Sequence, residues 1–224
     1  MSASLAAPLF EATERFWRTS YRASLVADWI PALDGVEAKL RAGARVADIG
    51  CGHGAAMIIL AEAYPASRFV GYDPHLESIK VARKRAAEAG VADRVRFEVA
   101  DAAGYPVEEY DLVCFFDTLH DLGDPVGAAA HARTALAPDG TLLLVEPFAA
   151  DDLAANLEAN PGAALDYAAS TFMCTANSRS QPVGRGLGAQ AGEPQLRTVL
   201  AEAGYSSVRR TSENQFNMVF EARR

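Results

Sequence analysis

The sequence predicts an α/β fold built on a mostly parallel sheet, and three observations predict it. From Arg45 onward, short strand-like runs alternate with helix-like segments, the signature of parallel strands joined by helical crossovers. The first of these runs passes directly into VADIGCGHG (residues 46–54), where glycines at every second position mark a sharp strand-to-helix turn. At the other end, two strands joined by a short polar turn close the chain as a hairpin, which a purely parallel sheet does not contain.

The elements follow in order. Residues 1–44 read as a helical segment, in which Trp17, Tyr21, Leu25, Trp29 and Ile30 give an apolar stripe that packs on the edge of the domain. Residues 45–50 form the first strand and 55–64 the helix behind it. Residues 68–73 are the second strand, followed by a helix over 76–89 that stops at Gly90. The third strand is 94–101. The fourth, 110–117, is nearly all apolar, as a strand buried on both faces should be. Pro125 opens a helix over 125–136, and APDG turns the chain into the fifth strand, 141–146. After Pro147 the alternation lapses. Residues 148–192, rich in Ala, Asn, Ser and Gly, read as a long irregular insertion, a lid or a structural excursion over the fifth strand. Regular pattern resumes with a helix over 193–204 and strands over 205–211 and 216–223, joined by SEN. The expected organisation is therefore an N-terminal helical segment, 1–44, and one α/β domain, 45–224, carrying the insertion.

Composition narrows the partners. A net charge of −8 argues against nucleic acid or an anionic membrane surface as the main partner, because neutralising phosphates needs clustered Lys and Arg. The pairs Arg209-Arg210 and Arg223-Arg224 read as solvated faces. MSASLAAPLFEATERFW lacks the basic start and long apolar stretch of a signal peptide, and no run approaches the ~18 apolar residues of a membrane span. Cys51, Cys114 and Cys174 are an odd number without paired spacing, which argues against a disulfide framework or a zinc site and for a reducing cytoplasm. No metal is expected.

A strand, a glycine loop and a helix start bring backbone N–H groups against a ligand, and only glycine lets the backbone come that close. Gly50, Gly52 and Gly54 give G-x-G-x-G, whereas the dinucleotide fingerprint wants its third glycine one position later, where Ala55 stands. A nicotinamide enzyme is therefore a poor match. Asp73 ends the second strand, where a carboxylate can accept both ribose hydroxyls, and Asp101, with Ala102, ends the third beside an adenine edge. Asp48 precedes the glycines and suits a positively charged amino group. Adenine, ribose and positive charge together describe S-adenosylmethionine.

VADIGCGHG, GYDPH, VAD at 99–101, FFDTLHDLGDP and LAPDGTLLLVEP together resemble the class I S-adenosylmethionine-dependent methyltransferases, over residues 45–223. The resemblance implies a Rossmann-like, doubly wound seven-stranded sheet in the order 3-2-1-4-5-7-6, with the last strand antiparallel. It implies cofactor contacts from Asp48, Gly50, Cys51, Gly52, Gly54, Asp73, Pro74, His75, Asp101, Ala102, Phe116 and Asp117. LHDLGDP is similar to the L-H-D-W segment of small-molecule O-methyltransferases, whose histidine is the general base; here that residue is His120, and Leu122 replaces the tryptophan. The tail from Gly186 is similar to bacterial methyltransferases with an N-terminal winged-helix domain, which 44 residues are too few to form.

Methyl transfer from a sulfonium is an in-line displacement, so the protein mainly orients two reactants and removes a proton. An imidazole with an ordinary pKa of ~6.5 can do the latter at neutral pH, and His120, just past the fourth strand, is placed for it. Asp121 or Asp124 would orient the ring. His53 would shape the cofactor pocket and His75 lie over the adenosine, while His131 is a helix histidine without a role. Glu146, Tyr167, Phe172 and Asn177, with Met173 and Gln181 beside them, are the candidate acceptor-site residues on the fifth strand and the insertion. The leading expectation is methylation of a hydroxyl on a small secondary metabolite. The alternatives are N-, C- or S-methylation or another reaction on the same cofactor, or a binding protein without catalysis. A homodimer would form through the N-terminal helices or the insertion.

Overall fold

A computed structural model describes residues 3–224, with side chains from Glu11 onward; Met1 and Ser2, the start of the expected helical segment, lie outside the described residues. The strands form a seven-stranded sheet in the order β3-β2-β1-β4-β5-β7-β6, as the resemblance implies. The chain divides into two compact units, one ending at Tyr105 and the other beginning at Pro106.

In the first unit, α1 (Ala3–Ser24) runs through a π-helical turn at Leu25–Trp29 and is followed by α2 (Val36–Ala42). The expected apolar stripe is a packing face: Tyr21, Leu25, Trp29 and Ile30 are buried and Trp17 is half-buried, with the Tyr21 and Trp29 rings edge to face. Then come β1 (Arg45–Ile49), α3 (Ala55–Ala63), β2 (Arg68–Asp73), α4 (Leu76–Glu88) and β3 (Val95–Val99). The three strands are parallel, and their register sets Asp48 beside Gly71 and Asp73 beside Val99. Ser67 ties α2 to the start of β1, its hydroxyl donating to the Leu40 carbonyl and accepting the Ala44 amide.

The second unit holds β4 (Tyr110–Phe116), α5 (Pro125–Ala135), β5 (Leu136–Pro147), α6 (Leu153–Ala159), α7 (Ala163–Ala169), α8 (Thr175–Arg179), α9 (Gly192–Glu202), β6 (Ser207–Glu213) and β7 (Asn217–Arg223). Strand β5 pairs in parallel with β4 and antiparallel with β7, which pairs antiparallel with β6. The strand β5 begins five residues earlier than expected. APDG is drawn into it rather than forming a free turn, with a register shift against β4 between Tyr110 and Leu112. A Cβ at Gly140 would lie 2.7 Å from the Tyr110 carbonyl, so glycine permits that close approach.

Residues 148–192 are largely helical, which corrects the expectation of an irregular stretch. LAANLEA and AALDYAA are strong helix formers without an amphipathic period, so a periodicity reading passes over them. Asp152 caps α6 by accepting the Ala155 amide at 2.8 Å. A π-helical turn at Ser170–Cys174 joins α7 to α8 and turns Ser170 and Cys174 inward. Among the described residues, no helix is long and apolar enough to cross a membrane.

Candidate functional site

In the first unit the glycine loop folds back on β2. The amides of Gly50 and Cys51 both donate to the Tyr72 carbonyl, and Gly54 donates to Cys51. Gly52 and Gly54 have φ of 50° and 77°, in the left-handed region. Their reasons differ. A Cβ on Gly54 would lie 2.5 Å from the Phe97 ring, so this glycine lets α3 seat against the sheet. A Cβ on Gly52 would meet nothing within 4 Å, so here the backbone conformation and the open space beside it are what matter.

Asp73 is fixed by that loop. Its Oδ2 accepts the Gly52 amide at 3.0 Å and its Oδ1 the His75 amide at 2.8 Å, which leaves a lone pair on each oxygen for a ligand. Burial pushes its pKa up, and the two amides hold it back. Asp48 is more demanding: it is 2% exposed, and its Oδ1 has no hydrogen-bond partner among the described residues. Burial, then the neighbouring Asp73, raises its pKa well above the ordinary carboxylate value. A buried carboxylate with an orphaned oxygen, near a second, half-buried one, suits a cationic ligand. Cys51 packs in the same place, and burial followed by those two carboxylates pushes its thiol well up, so it is not a thiolate nucleophile.

The remaining first-unit residues fall around this loop. His75 caps α4, its Nδ1 accepting the Ser78 amide at 3.3 Å. Pro74 is exposed, Ala102 half-buried, and Asp101 sits exposed on the turn after β3, its carbonyl accepting the Gly104 amide. His53 has a buried Nδ1 without a partner, and burial, then the Arg85 charge, lowers its pKa. Arg85 is in turn paired with Glu14 of α1 at 2.8 Å. The Glu14–Arg85 ion pair joins two separated segments and its charges act on His53 in a third, and no local motif announces it.

In the second unit the strand end of β4 carries Phe116, buried, and Asp117, a non-glycine residue at φ 50°. The Asp117 carboxylate accepts from the Asn217 side chain at 2.9 Å and its amide donates to Val145. A strained backbone anchored on both sides marks a place where position matters. Immediately after it, His120 is 4% exposed. Its Nδ1 lies 2.5 Å from Glu146 Oε2, and Glu146 Oε1 accepts the Leu119 amide at 2.9 Å. His120 Nε2 is 3.4 Å from Asp121 Oδ1. Burial alone would lower the imidazole pKa, but the carboxylates of Glu146 and Asp121 outweigh it and hold it well above the ordinary histidine value.

Several expected roles change here. Asp124 does not orient His120; it caps α5, accepting the Gly127 amide at 2.8 Å. The orienting carboxylate is Glu146, which was expected in the acceptor site but is 1% exposed and has both oxygens engaged by the His120 loop. Phe172 is 81% exposed, because the π-helical turn faces Ser170 and Cys174 inward, so it does not shape an enclosed pocket. Tyr167 is half-buried on α7. Asn177 donates to the Asp121 carbonyl at 3.3 Å. With it, Ser178 donates to Leu122, and Gln181 both donates to Asp121 and accepts from Gly123. These side chains sew the insertion to the His120 loop, a role invisible in sequence because nearly sixty residues separate the partners.

The chain matches a family model described as a methyltransferase domain over residues 40–204. It is 38% identical over 107 residues to the 27-O-demethylrifamycin SV methyltransferase of Amycolatopsis mediterranei, covering 47% of this chain and 39% of that protein. It is 33% identical over 105 residues to the trans-aconitate 2-methyltransferase of Streptomyces avermitilis, covering 46% and 39%. Among solved structures, the S-adenosylmethionine-dependent methyltransferase SibL superposes with a TM-score of 0.73 at 26% identity, covering 97% of this chain and 58% of that one. The mitomycin 7-O-methyltransferase MmcR, at TM-score 0.70 and 21% identity over 96% and 56%, shares the fold. The chain thus spans well under two thirds of these relatives. It belongs to the methyltransferase-domain family.

Proposed function

We propose that this chain transfers a methyl group from S-adenosylmethionine to a hydroxyl of a small molecule, with His120 as the general base. The glycine loop supports the cofactor. Asp48, with its orphaned buried oxygen, would meet the cationic methionyl end, and the free lone pairs of Asp73 would take the ribose hydroxyls. When bound, the cofactor supplies the activated methyl; the chain's part is to orient the acceptor and take its proton.

The observation that carries the base is the His120–Glu146 pair. A carboxylate at 2.5 Å holds the proton on Nδ1 and leaves Nε2 as the basic atom. A buried, oriented imidazole with that tautomer can accept a hydroxyl proton as the oxygen attacks. The names of the relatives fit a small-molecule acceptor, and a reducing cytoplasm suits the buried thiols Cys51 and Cys174. The homodimer expected through the N-terminal helices or the insertion rests on sequence alone.

The raised pKa of His120 favours a second reading. A protonated imidazole would hold an acceptor that is already ionised, such as a carboxylate, and no base would then be needed. Calorimetric titration tests the shared part of both: the chain binds S-adenosylmethionine, and Asp73→Ala weakens it at least about tenfold, since hydrogen bonds to a charged group carry about 1.5–3 kcal/mol each. Unchanged affinity in Asp73→Ala would refute the cofactor site.

A further inference from the structure

Cys174 reaches the base from the insertion, and its surroundings go beyond methyl transfer. His120 Nε2, Asp121 Oδ1 and Cys174 Sγ all lie within 4.8 Å of one another. When the ring is neutral, Glu146 keeps its proton on Nδ1, and Nε2 then turns a lone pair toward Asp121 Oδ1, 3.4 Å away. That oxygen is itself buried and without a hydrogen-bond partner. With the ring neutral, that nitrogen, this oxygen and the Cys174 sulfur form one cluster of donor atoms that a cation can bridge in place of the protons.

The Nε2–Oδ1 separation of 3.4 Å is that of two ligands on one transition-metal ion, and Cys174 Sγ lies within 4.8 Å of both. Tetrahedral zinc, with bonds of about 2.0–2.3 Å to nitrogen, oxygen and sulfur, sets its ligand atoms about 3.3–3.6 Å apart. A metal-bound histidine usually donates its other N–H to a carboxylate, and here Glu146 Oε2 stands to accept from His120 Nδ1. Imidazole, thiolate and carboxylate together select a borderline-soft divalent ion over magnesium or calcium. The Asp121 side chain is 38% exposed and gives an ion a way in.

We propose that His120, Asp121 and Cys174 bind one zinc-like divalent ion, with Glu146 as the carboxylate behind the histidine. Metal binding stands independently of the methyl-transfer reading; its consequence rests on that reading, because an ion on Nε2 takes the lone pair the base needs and so inhibits the enzyme. Binding displaces the Cys174 proton to solvent as the Sγ–metal bond forms, with no change in oxidation state.

The test is titration of the full chain, freed of metal by chelation, with Co²⁺ followed by Zn²⁺. Expected are a thiolate-to-cobalt charge-transfer band that saturates at one ion per chain and its loss on adding Zn²⁺. Cys174→Ser should abolish the band while circular dichroism and S-adenosylmethionine binding persist. Glu146→Gln should weaken Zn²⁺ binding by about 10–100-fold, as loss of such a supporting carboxylate does. Absence of the band in the wild-type chain, its persistence in Cys174→Ser, or unchanged Zn²⁺ affinity in Asp121→Asn would overturn the site.

Discussion

Glu146 holds His120 by both ends of its loop: one carboxylate oxygen lies 2.5 Å from the imidazole Nδ1, and the other accepts the amide of Leu119 one residue before it. Strand β5 delivers the carboxylate and the turn after β4 delivers the ring, and their parallel register, with Phe116 beside Val145, brings the two together. The pair sets both the tautomer and the basicity of His120.

A pH dependence follows. Glu146 and Asp121 raise the pKa of His120, so if His120 is the base, its deprotonation to the active form occurs above the ordinary histidine range. The rate of methyl transfer, measured with chelator present so that only protons compete for Nε2, should therefore rise with pH through a value well above ~6.5. Glu146→Gln removes a negative charge and should move that inflection downward. An inflection at the same pH in both proteins would show that Glu146 does not tune the base.

Asp48 predicts an exchange of stability for binding. Its folded-state pKa is raised, so its favourable contribution is complete below the unfolded value of 3.8 and is lost as pH rises through the folded value. Above that folded value the ionised, unpaired carboxylate destabilises the ligand-free chain. Asp48→Asn should raise the melting temperature at pH 7, by about 2–4 °C for each kcal/mol recovered, with little gain below pH ~4. It should also bind S-adenosylmethionine more weakly. A lower melting temperature at pH 7 would mean the carboxylate is satisfied in the free protein.

The two loop glycines should separate stability from binding. Gly54→Ala drives a methyl into the Phe97 ring, and such overpacking costs about 1–3 kcal/mol, seen as a clear drop in melting temperature. Gly52→Ala meets no atom and pays only for its positive φ, about 1–2 kcal/mol, yet it enters the space beside Asp73 and should cost at least about tenfold in cofactor affinity. Equal affinity in Gly52→Ala and the wild-type chain would place the ligand elsewhere.

Gln181 should act as a stitch between the insertion and the His120 loop. Gln181→Ala strips the partner from the Gly123 amide, at a cost of about 1–3 kcal/mol for that group, while the Asp121 carbonyl keeps its bond from Asn177. Hydrogen exchange at Gly123 should accelerate in the variant. Unaltered protection there would mean the loop holds itself.

These residues also show what the sequence reveals. Strands such as RFVGYD and YDLVCFF are legible because buried parallel strands need continuous apolar runs, and the observed Arg68–Asp73 matches the expected bounds. The glycine loop and its acids are legible because their spacing is local. Glu146, Cys174 and Gln181 are not, because their roles depend on contacts across 26 to 60 residues that only the sheet and the helical insertion create. The helices of that insertion were hidden for another reason: alanine-rich segments fold by propensity and leave no periodic trace.

Hydroxyl methylation with His120 as the base, as we propose, is tested most directly by transfer of labelled methyl from S-adenosylmethionine into small molecules of a cell extract, by the wild-type chain and by His120→Ala. The wild-type chain should yield a labelled small-molecule product, and the variant should form it roughly 10²–10⁴-fold more slowly with cofactor affinity about the same. A variant that forms the product at the wild-type rate would contradict the account and leave methylation to proximity alone.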